Sequence, residues 1–298
     1  MNNSTIRLLL AALLTAGACL PGVAAKGQDA KKHSAHGIVL HVDGSHRLLE
    51  VSCDEIPDYM AAMDMSFELR NAKDAAALKP GTKIQFTIMP QGKLLYAQDI
   101  HVETAAVFEP EPMAAGGLTA LSKALNPAAK ALAVGQPVPD FTLTDQAGSQ
   151  VRLSQLQGKV VALTFGYSRC PNPNYCYRLS NNLAQVRKQL HERAGKDLVL
   201  LTIAIDPEHD HGEVLTQYAA AFHADPQTWH FLTGPEPKIH RIAALFGMNF
   251  WASDGLLTHS LHTVVLDREG RLAANLEGNQ FTPKQLADLV RSVIDRPL

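Results

Sequence analysis

Cys170 and Cys176 are separated by Pro171-Asn172-Pro173-Asn174-Tyr175, between an apolar run, Val160 to Phe165, and a segment of helical apolar spacing, Leu179 to Leu190. Two thiols this close can close a disulfide, exchange one with another protein, or clamp one soft metal ion. The amides that open the following helix favour thiolate over thiol. The bland alternative is a structural disulfide stapling a short loop.

The elements around the pair favour chemistry over a staple. A second strand pattern runs from Leu198 to Ile205 and ends in Asp206-Pro207, followed by a helical pattern at Val214 to Phe222. Strands follow at Thr263 to Leu266 and near Arg271 to Asn275, flanking the turn Arg268-Glu269-Gly270, and a helix runs from Pro283 to about Ile294. Strand, helix, strand, helix, hairpin, helix is a thioredoxin-like α/β order. It puts the cysteine loop at the carboxyl end of a central strand, where ligands of such sheets sit.

From about Val134 to its C-terminus the chain resembles the Sco (SenC/PrrC-type) family of copper-binding thioredoxin-like proteins. The pieces that carry the resemblance are Phe141-Thr142-Leu143-Thr144-Asp145-Gln146, Phe165-Gly166-Tyr167-Ser168-Arg169-Cys170-Pro171, Asp206-Pro207, Trp229-His230-Phe231-Leu232-Thr233-Gly234 and His259-Ser260. The resemblance implies copper held by two cysteines and a distant histidine, which map onto Cys170, Cys176 and His259. The family's usual spacing has three residues between its cysteines; this loop has five. Two thiolates and an imidazole form a soft to intermediate donor set that suits copper, and three ligands without a fourth make a poor structural zinc site. Without the resemblance His259 reads as a loop histidine, and His262 is its nearest competitor. An enzyme alternative is a thiol-disulfide oxidoreductase with Cys170 and Cys176 as redox pair and a thiol-disulfide reductant as partner. Such enzymes carry two residues between their cysteines and a proline before the facing strand, whereas this chain reads His259-Ser260-Leu261-His262-Thr263 there. Peroxidase chemistry fits worse, because no threonine or serine stands before a lone cysteine in the required pattern.

Between Gly37 and Val102 lie short apolar segments, Ile38 to Val42, Leu48 to Ser52, Met65 to Leu69, Ile84 to Met89 and Leu94 to Val102, broken by Asp43-Gly44, Pro80-Gly81 and Gln91-Gly92. They predict a small all-β barrel of OB type. Met60, Met63 and Met65 fall within six positions although the chain has only seven methionines, and Met63 and Met65 share a strand face. Thioethers are soft, uncharged and immune to disulfide pairing; equally, methionine fills barrel interiors readily. Over about His36 to Glu103 this block resembles the CusF-like copper-binding domains. The resemblance implies thioether ligands at Met63 and Met65. Cys53 stands where those domains have a histidine ligand, and Met60 where they have a capping tryptophan; both are read as additions to the set. His33, His36, His209 and His211 read as solvated loop histidines.

Arg7, the run Leu8 to Leu14 and the small residues Val23-Ala24-Ala25 read as a secretory signal over residues 1–25, which implies export to a bacterial periplasm. A lipid anchor on Cys19 is disfavoured by Ala16, where a lipobox has leucine. Past the signal Cys53, Cys170 and Cys176 remain, an odd count that leaves one thiol unpaired or metal-bound, most naturally Cys53. The expected organisation is a barrel over 36–103, an Ala/Gly/Pro-rich tether over 104–133 with a short helix around Leu118 to Leu125, and a Sco-type domain over 134–298. With 298 residues and a net charge of −2, the chain can bury two cores and shows no basic excess for nucleic acid. The function expected is a periplasmic copper metallochaperone whose partner is a copper-accepting protein such as a respiratory oxidase subunit. Copper sequestration for tolerance is a second binding-type reading.

Overall fold

The computed structural model describes residues 32–103, 131–253 and 255–296. The expected signal segment, Cys19 and the tether up to residue 130 lie outside them. Among the described residues, strands β1 (His33–Asp43), β2 (Leu48–Cys53), β3 (Met63–Leu69), β4 (Lys83–Gln91) and β5 (Leu94–Val102) close into a barrel in the order β1-β2-β3-β5-β4. Inward residues alternate along each strand, so Val39, Leu49, Val51, Phe67, Leu69, Ile84, Phe86 and Ile88 form its core. Gly37 lets β1 lie against β2: a Cβ there would stand 2.5 Å from Val51 Cγ1 and 2.6 Å from the Ser52 carbonyl oxygen.

The remaining strands are β6 (Thr142–Asp145), β7 (Gln150–Arg152), β8 (Val160–Gly166), β9 (Leu198–Ala204), β10 (Trp229–Thr233), β11 (Phe250–Ser253), β12 (Leu256–His259), β13 (His262–Leu266) and β14 (Leu272–Glu277). All but β11 and β12 build a seven-stranded sheet, β14-β13-β8-β9-β10-β6-β7, in which β8, β9 and β10 run parallel. Strands β8 and β9 are buried on both faces, which explains their unbroken apolar sequences. Helices α1 (Arg178–Gln189), α2 (Gly212–Ala220) and α4 (Pro283–Asp295) pack with Val160, Ala162, Leu198 and Leu200. Helix α3 (Glu236–Leu245) packs on the other face with Val161, Leu163, Val199 and Leu201. The structure thus has the predicted thioredoxin-like order and adds β6, β7, β10, α3 and a separate β11–β12 ribbon to it.

The barrel is docked on this α/β unit. Ile38 and Leu40, on the outer side of β1, share one buried cluster with Leu286, Leu289, Val290 and Val293 of α4. Beside them the Ser52 hydroxyl donates to Asp288 at 2.7 Å, and Lys284 and Arg291 flank the same buried carboxylate at 2.5 and 2.8 Å. Gln285 closes a capping box with Thr282 and also donates to Asp54 at 2.9 Å and to the Ser52 carbonyl at 3.4 Å. Ser292 donates to the Leu40 carbonyl, and Arg296 grips Glu50.

Both tryptophans, Trp229 and Trp251, lie in the α/β unit and report on its unfolding. Truncating Leu40 to alanine should cost about 2–5 kcal/mol, as for other buried leucines. The expected result is a lower urea midpoint in the tryptophan fluorescence transition; an unchanged tryptophan curve would mean that the two parts unfold independently.

Candidate metal centre

Strand β8 delivers the site. Its last residue, Gly166, is followed by Tyr167, Ser168, Arg169 and Cys170, and the chain returns through a single wide turn, Pro173–Tyr177, into α1. Cys176 sits in that turn, 1% exposed, directly over Gly166. A Cβ on Gly166 would lie 3.2 Å from Cys176 Cβ and 3.3 Å from the Tyr218 hydroxyl. A Cβ at this position would push the turn or the tyrosine back by a few tenths of an ångström, so glycine lets the turn settle close onto the strand end.

His259 arrives from the other side, at the end of β12. The ribbon pairs Phe250 with His259 and is pinned by the Tyr167 hydroxyl, which donates to the Leu257 carbonyl at 3.0 Å. The Tyr167 ring meets the imidazole edge-on, 6.0 Å between centroids. His259 Nδ1 lies 2.9 Å from the Ser260 carbonyl, a contact that only an N–H can make, so the proton is on Nδ1. Nε2 is left with its lone pair, 3.2 Å from Cys176 Sγ. The two sulfurs and Nε2 all lie within 4.8 Å of one another. Ligands on one ion at roughly 2.0–2.3 Å each stand at most about 4.6 Å apart, so little motion would close this trio around a metal. The backbone carbonyl behind Nδ1 is the kind of outer support that fixes a ligating imidazole.

The thiols divide one proton between them. Cys170 is held well below the usual thiol range because the Cys176 S–H donates to it, against the opposing effect of burial. Cys176 is pushed well up by its burial and then by the neighbouring Cys170 charge. Cys170 is therefore the ionised, reactive member and Cys176 the protonated one.

The start of the loop is anchored by the segment after β9. Arg169 reaches Asp206 through Nε and Nη2 at 3.1 and 2.7 Å, and His209 lies 2.8 Å from the other oxygen of that carboxylate. Burial opposes ionisation of Asp206, but Arg169 and His209 outweigh it and hold its pKa below the usual value. Asp210, fully buried, accepts from the Ser168 amide at 3.0 Å and from the Ser168 hydroxyl. Sequence reasoning quoted Asp206-Pro207 without a role and read His209 as solvated; the signal available was the string Arg169 and Asp206-Pro207-Glu208-His209-Asp210, charges too many for a passive loop. His262 is not part of the trio: it is buried in β13, 2.9 Å from Asn275 Oδ1.

In the barrel, Cys53 pairs with Met63 and Val51 with Met65 across β2 and β3, which puts Cys53, Met63 and Met65 on one side at one end. Met63 is 45% exposed, Met65 is half-buried, and Met60, in the turn bridged by Ile56, packs with Met65 against the core. Cys53 is buried and burial, aided by Asp54 and Asp64, pushes its thiol up to about 12. The structure brings the four residues to one end of the barrel and keeps Cys53 protonated.

Residues 130–295, more than half of the chain, match the profile of the SCO1/SenC family. The chain belongs to the SCO1/SenC family. Residues 32–101 match the profile described as copper binding periplasmic protein CusF, so the Sco domain is preceded by a CusF domain. A SCO2-like protein of Rickettsia prowazekii is 30% identical over 139 residues, 44% of this chain and 64% of that protein. The match thus spans less than two thirds of that relative. A copper-bound ScoI of Arabidopsis thaliana aligns with a TM-score of 0.47 and 25% identity over 53% of this chain and 98% of that one. BsSco, described as a member of the Sco family of cytochrome c oxidase assembly proteins, aligns with a TM-score of 0.48 and 23% identity over 56% and 98%. The Cys-Cys-His trio of this Sco domain has a donor set that fits copper. Among the described residues no helix is long and apolar enough to cross a membrane.

The lowered Cys170 pKa has a direct test in the metal-free, reduced protein. Between pH 8.5 and 6.5 an ordinary thiol loses roughly 50-fold in thiolate and hence in alkylation rate. Cys170 should change less than about twofold over that span. Replacing Cys176 with alanine removes the main donor, so the fall in rate should move up toward the ordinary thiol range; iodoacetamide kinetics followed by peptide mass spectrometry reads both.

Proposed function

We propose that this protein binds copper in the periplasm and passes it to a copper-accepting protein. The observation that carries this reading is the orientation of His259: with Nδ1 committed to the Ser260 carbonyl, its Nε2 lone pair faces both thiols. Copper(I) is soft and accepts two thiolates and an imidazole, and such a trio tolerates copper(II) with modest rearrangement. A half-exposed, ionised Cys170 is the natural first contact for an incoming ion or a departing one. The acceptor we propose is a respiratory oxidase subunit, in keeping with the description of BsSco; a copper centre in such a subunit would receive the ion by ligand exchange.

The barrel supplies a second site in this reading, with Met63 and Met65 as thioether ligands and Met60 beside them. Cys53 joins only by giving up a proton that its burial retains, so it is the weaker member of the set. Export to the periplasm matches both the leader-like N-terminal sequence and the description of the CusF family. A second function, reduction of a partner's disulfide by Cys170 and Cys176, is favoured by one observation: the two thiols are free and one is ionised.

Anaerobic Cu(I) titration of the reduced protein against a competing chelator tests the copper reading. Two tight equivalents are expected, falling to one when Cys170 and Cys176 are both changed to serine, and the survivor should be lost on changing Met63 and Met65 to leucine. His259→Ala should cripple copper retention at the Sco site and spare disulfide exchange. One equivalent that ignores the double cysteine change would confine copper to the barrel and leave the cysteine pair to redox work.

A further inference from the structure

Two buried hydroxyls near the Cys176 turn, that of Tyr218 beside Cys176 and that of Ser180 close to Tyr218, make no hydrogen bond of good geometry. Ser180 Oγ, one helical turn after Cys176 on α1, and Tyr218 Oη, from α2, are both cut off from water and unpaired. The Tyr218 oxygen and Cys176 Sγ stand 3.3 and 3.7 Å from the same point, the place where a Cβ on Gly166 would be. The Tyr218 ring is held edge-on against Phe222 and Phe231, at 5.4 Å from each, so its oxygen has little freedom to look elsewhere. Burial, and then the charge that Cys176 can carry, push the Tyr218 phenol up, which keeps it a donor; Ser180 lies near enough to act on it too.

An orphaned buried hydroxyl costs stability, and two of them near one reactive sulfur call for a physical reason. The reason lies in what happens to that sulfur. In the metal-free protein Cys176 keeps its proton and donates it to Cys170. When Cu(I) binds, the copper–sulfur bond forms as the S–H bond breaks, the proton departs to water and no electron moves. A sulfur only 1% exposed then carries negative charge with no water to solvate it. The backbone amides of Tyr167 and Cys176 already point at it. We propose that Tyr218 and Ser180 are positioning residues for the loaded state: their O–H groups, idle in the metal-free protein, turn onto the Cys176 thiolate and stabilise it once metal has displaced its proton.

This inference rests on copper binding at Cys170, Cys176 and His259. It predicts that Tyr218→Phe, which removes one oxygen and keeps the ring packing, leaves the thermal midpoint of the metal-free protein unchanged or raised. The same variant should weaken Cu(I) retention by about tenfold in chelator competition, since hydrogen bonds to charged groups are the stronger kind. In the Cu(II) form the thiolate charge-transfer band should move to longer wavelength, because a donor to sulfur lowers the energy of its lone pairs. Ser180→Ala should act in the same direction, and Ser180→Thr, which restores a hydroxyl, should recover part of the loss. Unchanged affinity and an unchanged band in Tyr218→Phe would overturn the proposal, as would a loss of affinity matched by a loss of metal-free stability. Failure of the wild type to hold copper at the cysteine pair would instead overturn the reading beneath it.

Discussion

Everything at the thiol site depends on how closely the turn before α1 can approach the end of β8. The absence of a side chain at Gly166 sets that distance, and it puts Cys176 under the loop where water does not reach. From this one contact the rest follows. Burial keeps the Cys176 proton on sulfur; that proton is then donated to Cys170; and the donation makes two chemically identical thiols unequal. A bulkier residue at position 166 would lift the turn, let solvent in and erase the difference. The five-residue spacing between the cysteines is accommodated by the wide turn at Pro173–Tyr177, in which Tyr175 departs from helical geometry, so the extra length is absorbed away from the two sulfurs.

The parts of this arrangement that were legible in the sequence are those with a local signature. Val160 to Phe165 could hardly be anything other than a strand covered on both sides, and two cysteines at its end mark a site whatever the fold. The barrel strands announced themselves by alternation, and Met63 and Met65 by their spacing. What stayed hidden is the long-range pairing. His259 was found through family resemblance, because nothing local distinguishes it from His262, three residues on; their fates differ because β12 ends in a ribbon outside the main sheet while β13 enters it. Tyr218 and Ser180 read as ordinary helix residues, and only the packing of α2 and α1 onto β8 makes them neighbours of a sulfur.

Docking of the barrel was written in the sequence in a form easy to misread. A barrel strand with one wet face alternates, yet Ile38-Val39-Leu40 is apolar at every step. Val39 faces the barrel core and its two neighbours face α4. The same helix reaches the cysteine loop through its lead-in: Asn279 donates to the Asn174 carbonyl at 2.7 Å and accepts from Arg178 at 3.0 Å. Helix α4 touches the strand end bearing Cys53, and its lead-in touches the loop bearing Cys176, so a shift of this one segment would be felt at each.

The apolar outer side of β1 also bears on whether the two modules could exist apart. A stand-alone barrel would carry Ile38 and Leu40 into water as an oily stripe, and the α/β unit without it would expose Leu286 and Val290 in turn. Cutting the chain between them would turn one internal contact into two sticky surfaces, so each module acts as the other's solvent shield.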